Sequence, residues 1–317
     1  MEWKTRITEL LGCKYPILQG AYGAFGDWKF AAAVAETGAY GVLTASTSRT
    51  PDQLREDIRS LRAATDGAFG VNLSVSTLPE IDKMLEVCIE ERVQIETAHY
   101  KPDALVPRIK EAGLTWVHKA ARIKDALHAE HLGADAVIVV GLEGAGGKNP
   151  EQLPTLITVT WGSKLFKVPF VAAGGIADAR GFLGALAMGA DGITMGTAFM
   201  ATKECPTNEA SKVGMAEARP DNPRLLFRVM TPPNPKDYAE ALKKRNEMPV
   251  TEWLRLLEDL QPKNSDYPGP ADIPQTTAVG SLAVGAINSV LTCEELIGGI
   301  IREAEELVDS WQFLKTR

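Results

Sequence analysis

Short apolar runs rich in β-branched residues recur along the first two thirds of the chain, each bounded by Gly, Pro or Asn. They predict eight β-strands, at residues 16–20, 39–46, 68–74, 93–98, 114–119, 135–140, 168–173 and 192–196. The intervening segments have helical periodicity, for example at 27–37, 51–65, 79–91, 102–112 and 122–132. Each strand-to-strand step takes roughly 20 to 30 residues, which suits right-handed crossovers between parallel strands. The pattern predicts an α/β fold, a (β/α)8 TIM barrel, with a doubly wound open sheet as the alternative.

The pattern changes after the eighth strand. Residues 203–274 are polar and contain several prolines, with helical stretches at 237–245 and 251–260 and no further strand. We predict a barrel over 1–202, a helical lid or small second domain over 203–274, and a segment 275–317 that packs back on the barrel through a helix at 293–314. Residues 203–274, called the lid segment below, follow the last strand and are therefore expected at the catalytic face.

Two predicted strands end in glycine-rich turns, Val171-Ala-Ala-Gly-Gly-Ile-Ala177 and Gly189-Ala-Asp-Gly-Ile-Thr-Met-Gly-Thr197. Glycine lacks a Cβ, so the backbone of such a turn can approach an anion and direct its amides at it. In these barrels, phosphate binds to the loops after strands seven and eight. Two ordinary turns with small residues are the alternative. The pair predicts a phosphorylated ligand held by Gly174, Gly175, Gly196 and Thr197.

Polar residues follow or end several other strands, where barrels place catalytic and binding groups. Asn72 lies in an apolar run, so its amide needs a partner, either a ligand or barrel backbone. Lys119 needs a negative partner, either a carboxylate such as Glu143 or an anionic ligand. Gln19 follows strand one. His99, after strand four, is the one histidine placed for acid–base work, although an ordinary loop histidine fits its position equally well.

The loop Gly141-Leu-Glu-Gly-Ala-Gly-Gly-Lys-Asn149 follows strand six and matches neither common nucleotide-binding motif. A P-loop would need glycine at Leu142 and a hydroxyl residue at Asn149. A dinucleotide fingerprint starting at Gly144 also fails at Asn149. We therefore predict a flexible loop with few side chains around Gly146, which permits close approach of a flat ring.

Composition narrows the class of protein. The 317 residues are 45% hydrophobic, enough for a full barrel core, and the net charge of −7 argues against a general nucleic-acid binder. The four cysteines are far apart and form no CxxC pair, so neither a disulfide framework nor a metal site is indicated. There is no apolar signal core and no apolar run of membrane-spanning length. These features predict a cytoplasmic enzyme that acts on a small molecule.

Seven segments together resemble the nitronate monooxygenase family, formerly 2-nitropropane dioxygenases, and within it the NADH:quinone reductase group. They are Pro16-Ile-Leu-Gln-Gly20, Gly70-Val-Asn-Leu73, Glu96-Thr-Ala98, Val117-His-Lys119, Ala172-Ala-Gly-Gly-Ile-Ala-Asp178, Met195-Gly-Thr197 and Thr202-Lys-Glu-Cys-Pro206. The resemblance implies a TIM barrel with an extra helical domain and non-covalently bound FMN. It further implies an FMN phosphate at the two glycine turns and a flavin ring in contact with Gln19, Asn72 and Lys119. Lys119 would stabilise the anionic reduced flavin. The expected cofactor-binding set also includes Gly20, Gly146 and Ala173.

One motif departs from the family. Where the family has Glu-x-Ala-Gly-His-Pro, this chain reads Glu143-Gly-Ala-Gly-Gly-Lys-Asn-Pro150, so Gly147 or Lys148 replaces the histidine. We therefore predict an FMN-dependent oxidoreductase in which NADH or NADPH reduces the flavin and a quinone or enone accepts the electrons. The catalytic candidates are His99, Lys148 and Lys119. The alternatives are a nitronate monooxygenase and, from another class, a non-redox barrel or pseudoenzyme that binds a phosphorylated ligand. A homo-oligomer is compatible with the sequence.

Overall fold

A computed structural model of the chain describes residues 1–21, 23, 25–74, 78, 80–98, 102–270 and 280–311, without the side chains of residues 246, 250, 251 and 254. Eight strands, β1 to β8, span Ile17–Gln19, Gly41–Thr44, Phe69–Ser74, Gln94–Ala98, Trp116–Ala120, Ala136–Val140, Phe170–Ala173 and Gly192–Met195. They form one parallel sheet in the order β1-β8-β7-β6-β5-β4-β3-β2. A bridge between Leu18 and Tyr40 brings β1 back beside β2. The predicted (β/α)8 barrel is confirmed, and every strand overlaps its predicted run.

The α-helices of the described residues surround and extend this sheet. In chain order, α1 to α15 are Arg6–Leu11, Trp28–Glu36, Ala45–Ser48, Pro51–Ala64, Ile81–Glu90, Val106–Glu111, Ile123–His131, Thr155–Gly162, Ala179–Ala187, Thr197–Met200, Glu209–Glu217, Pro223–Met230, Pro235–Lys243, Val250–Asp259 and Cys293–Ser310. Short 3-10 helices occur at Lys244–Asn246, Asn264–Asp266 and Leu282–Ala286. None of the described helices is both long and apolar enough to cross a membrane.

Helix α1 closes one end of the barrel. Its Ile7 and Leu11 belong to the same apolar cluster as Leu18, which lies on β1. Gly192 begins β8, and a Cβ on it would lie 2.9 Å from Ile7 Cγ2. The amino-terminal end of the strands is therefore filled mainly by apolar side chains, with a hydrogen bond of 2.8 Å from Tyr40 to Gln94 among them. The polar side chains described below lie at the carboxyl-terminal end, called the mouth.

The lid segment is helical, and the chain then returns to the barrel. Helices α11 and α12 share an apolar cluster with Val284, while α13 and α14 pack around Trp253. Helix α15 lies against α2 and α9. It begins at the predicted residue, Cys293, and is described to Ser310. The division into domains stays a prediction.

Periodicity does not predict helix α8. Its apolar residues occur on every side, so they give no amphipathic stripe. As a result, Leu156, Ile157 and Trp161 are 47–60% exposed.

Candidate active site

A buried carboxylate lies at the centre of the polar side chains in the mouth. Glu96 on β4 accepts a hydrogen bond from Asn72 Nδ2 of β3 at 2.7 Å. The same oxygen, Oε1, lies 2.9 Å from Lys119 Nζ of β5. The side chain of Glu96 is 4% exposed and that of Lys119 is 15% exposed. Asn72 and Lys119, whose partners the sequence does not show, therefore both bind the same carboxylate.

Glu96 is the partner that the sequence analysis misses. The suggested partner of Lys119, Glu143, instead accepts hydrogen bonds from the Thr155 backbone N–H and hydroxyl at 2.7 and 2.6 Å. A signal for Glu96 was available, because it lies on the strand next to Lys119 and faces the same side of the sheet. It is also the register partner of Asn72. A buried lysine on one strand calls for a carboxylate on a neighbouring strand.

Gln19 joins the edges of the barrel where β1 meets β2. Its side-chain Oε1 accepts a hydrogen bond from the Val42 N–H at 2.9 Å. Its Nε2 is buried and has no partner among the described residues, and the same holds for Thr194 Oγ1 on the adjacent strand β8. Buried polar atoms are normally hydrogen-bonded, so these two favour a ligand with acceptor and donor atoms at this edge.

The turn after β7 has the geometry of an anion-binding loop. Gly174 and Gly175 have φ values of 110° and 74°, in the region that favours glycine. A Cβ on Gly174 would lie 2.8 Å from Thr155 Oγ1 and 2.9 Å from Gly141 O. Within the described part of the chain, the N–H groups of Gly175 and Ile176 donate no hydrogen bond. These free donors suit a phosphate oxygen.

The turn after β8 lies close to the end of β1. The Gly20 N–H donates to Met195 O at 2.8 Å. A Cβ on Gly20 would approach Gly196 Cα to 3.2 Å. The Thr197 hydroxyl accepts a bond from the Ser281 N–H at 3.0 Å and lies 2.8 Å from Ser281 Oγ. Ser281 of the returning segment therefore contacts this hydroxyl, and the binding of an anion at Thr197 stays a prediction.

The loop 141–149 is anchored at several points. Lys148 is 5% exposed, and its Nζ donates to the carbonyl oxygens of Leu142 and Gly144. The pKa of Lys148 is lowered to about 8, mainly by burial. The negative charge of Glu143 opposes this shift, and the positive charge of Arg228 contributes to it. Gly146 has a φ of 97° and open space around its Cβ position. The glycines of the loop leave open space, and the Lys148 side chain turns back into the loop itself.

His99 lies outside the described residues. His118 alternates with Lys119 on β5 and faces away from the barrel interior, and its Nδ1 lies 2.8 Å from Thr97 Oγ1. His128 contacts Asp103 on the surface. These two histidines therefore lie away from the mouth.

Comparison with known proteins identifies the family. The family model described as nitronate monooxygenase matches residues 4–98 and 80–232. A (3aS,4S,5R,7aS)-5-hydroxy-7a-methyl-1-oxo-octahydro-1H-indene-4-carboxyl-CoA dehydrogenase from Mycobacterium tuberculosis is 29% identical, over 96% of this chain and 97% of its own length. A probable nitronate monooxygenase from Staphylococcus aureus is 28% identical, over 65% of this chain and 70% of its own length. The structure of FabK from Thermotoga maritima has 30% identity and a TM-score of 0.76, and covers 98% of this chain and 99% of its own. The chain therefore belongs to the nitronate monooxygenase family and is a flavin-dependent oxidoreductase.

Proposed function

We propose that this protein is an FMN-dependent oxidoreductase that takes hydride from NADH or NADPH and delivers it to a conjugated carbonyl acceptor, a quinone or an enone. The observation that carries the proposal is the buried Lys119–Glu96 pair in a mouth that also contains the glycine turn after β7. A cation beside a flavin ring stabilises negative charge on the reduced ring.

The donors in the mouth fit FMN. The free N–H groups of Gly175 and Ile176 would bind the phosphate, with the backbone at Gly196 and Thr197 beside them. Gln19 Nε2, Asn72 and Lys119 would contact the polar edge of the isoalloxazine ring. Bound FMN supplies the hydride acceptor and donor. A terminal monophosphate suits these turns, and the sequence has no fingerprint for the adenosine half of FAD.

Two observations favour a conjugated acceptor over a nitronate. The family's loop histidine is absent, and the ammonium group of Lys148, next to the position of that histidine in the sequence, is buried and donates to the carbonyl oxygens of Leu142 and Gly144. The Mycobacterium tuberculosis relative, which matches nearly the whole chain, is named for a CoA substrate. An α,β-unsaturated CoA thioester has the same conjugated carbonyl as an enone, and we include it among the acceptors.

Cofactor release and anaerobic reduction test the proposal. Heat-released cofactor should have the mass of FMN, and NADH or NADPH should bleach the flavin absorption. Steady-state assays should then give faster turnover with a quinone, an enone or an enoyl-CoA than with propyl nitronate. General acid–base help is worth about 10² to 10⁴ in rate, so nitronate turnover should be lower by a factor in this range than in histidine-containing relatives. Efficient nitronate oxidation without any response to reduced nicotinamide would overturn the assignment.

A further inference from the structure

We propose that Gln261 and Lys148 form a clasp that holds the loop 141–149 against the lid segment, so that both are positioning residues for the loop over the cofactor. In this role Lys148 is not the proton donor of the reaction. The inference rests on the proposed function only in taking the loop to cover FMN.

The first half of the clasp is an amide that pairs with the backbone of residue 148. Gln261 follows helix α14, and its Oε1 accepts a hydrogen bond from the Lys148 N–H at 2.8 Å. Its Nε2 donates to the Lys148 carbonyl at 3.3 Å and to the Leu257 carbonyl, also at 3.3 Å. Among side chains, a carboxamide offers both a donor and an acceptor in this geometry. The lid segment therefore binds the loop through its backbone.

The second half is the side chain of Lys148. Its ammonium group is buried and donates to two carbonyl oxygens of its own loop, those of Leu142 and Gly144. A buried cation is costly unless such oxygens replace its hydration. Those oxygens converge on Nζ only while the loop stays folded around it. The lysine thus ties the beginning of the loop to its end.

Other bonds hold the beginning of the loop. Gln152 Nε2 donates to Val140 O at 2.9 Å and to Gly141 O at 3.2 Å. The Leu282 N–H donates to Glu143 O at 3.1 Å. A Cβ at Gly146 or Gly147 would meet no atom within 4 Å. The glycine tip therefore lies directly before the residue that Gln261 holds, and a movement of the lid segment would either break the clasp or carry the tip with it.

The test compares clasp variants by hydrogen exchange and by FMN release. Gln261→Ala removes the paired bonds, and Gln261→Glu keeps the acceptor but loses the donor. Lys148→Met keeps the stem and loses the ammonium. Gln53→Ala and Lys110→Met are matched controls, since Gln53 bonds Asp57 on α4 and Lys110 bonds the Gly133 carbonyl, both in the outer helical layer.

Amide exchange of loop peptides is measured by mass spectrometry in the apoprotein and with FMN. Two lost hydrogen bonds of about 1 kcal/mol each predict roughly 30-fold faster exchange of the loop in Gln261→Ala, with FMN release accelerated to a similar degree. Gln261→Glu should give a smaller effect in the same direction. Lys148→Met should also speed exchange of the loop. Exchange of helix α9 in these variants should stay within about twofold of wild type, and so should exchange of the loop in the two control variants.

Unchanged loop exchange in Gln261→Ala would overturn the clasp. So would a Lys148→Met protein whose loop stays protected while its turnover falls, because that result marks Lys148 as the proton donor. The apoprotein exchange requires neither cofactor nor acceptor. A protein that failed to bind FMN would therefore refute the proposed function and still decide the clasp.

Discussion

Lys119 and Glu96 form a buried charge pair, so removing one member leaves the other uncompensated. Lys119→Met should lower the free energy of unfolding of the apoprotein by about 3 kcal/mol, because the Glu96 carboxylate stays buried without its cation. The double variant Lys119→Met/Glu96→Gln should recover most of that loss. Urea denaturation of the four proteins of this cycle measures the coupling. Additive losses would mean that the two charges do not interact.

The same pair should set the potential of the bound flavin. Lys119→Met removes a positive charge and should lower the midpoint potential, whereas Glu96→Gln removes a negative charge and should raise it. At an effective dielectric constant of about 20, a unit charge some 6 Å away corresponds to roughly 30 to 60 mV for a two-electron couple. Spectroelectrochemical titration of the FMN-loaded variants measures both shifts. Normal folding and an unchanged potential in both would leave the pair a purely structural role.

At the scale of elements, the β7–α9 turn requires glycine at position 174 for two reasons, the lack of space for a Cβ and the positive φ, and Gly146 in the loop 141–149 has only the second. Gly174→Ala places a methyl group 2.8 Å from Thr155 Oγ1 and adds backbone strain at a φ of 110°. Gly146→Ala adds strain at a φ of 97° in open space. We expect Gly146→Ala to cost about 1 kcal/mol in stability. Gly174→Ala should cost clearly more and abolish FMN binding.

Thermal unfolding and FMN fluorescence titration check both glycine variants. Equal losses of stability would show that the contact between Gly174 and Thr155 has no energetic weight. Unchanged FMN affinity in Gly174→Ala would place the phosphate elsewhere.

For the whole molecule, the buried Lys148 predicts a pH-dependent stability. Its pKa is about 8 in the folded state against an ordinary value of 10.5, with Glu143 and Arg228 the charged groups that act on it. Between these values the unfolded chain binds a proton that the folded protein has released, so stability rises with pH. Relative to Lys148→Met, the wild-type free energy of unfolding should rise by up to about 3 kcal/mol from pH 8 to pH 10.5. Urea denaturation at several pH values checks this, and a constant difference between the proteins would contradict it.

The sequence by itself determined the barrel and indicated the positions at which its chemistry is proposed. Strand and helix periods are local properties, so apolar runs such as the one that ends at Ala173 and proline-initiated helices such as Pro51–Ala64 can be read without knowing their neighbours. A glycine that must adopt positive φ is equally local, which is why Gly174 and Gly175 stand out in the sequence as the turn proposed to bind an anion. Asn72 and Lys119 stand out because a polar group in an apolar run needs a partner.

Only the tertiary structure decided which partners those groups have. Glu96 lies 23 positions before Lys119 in the chain, and barrel closure brings their side chains together. Ser281 reaches Thr197, and Gln261 reaches Lys148, across separations of 84 and 113 residues. Hydrogen bonds and ion pairs act over a few ångströms in space, whereas periodicity reports only the face on which a residue lies. The sequence therefore determined which side chains needed partners, and the closed barrel with its returning segments selected them.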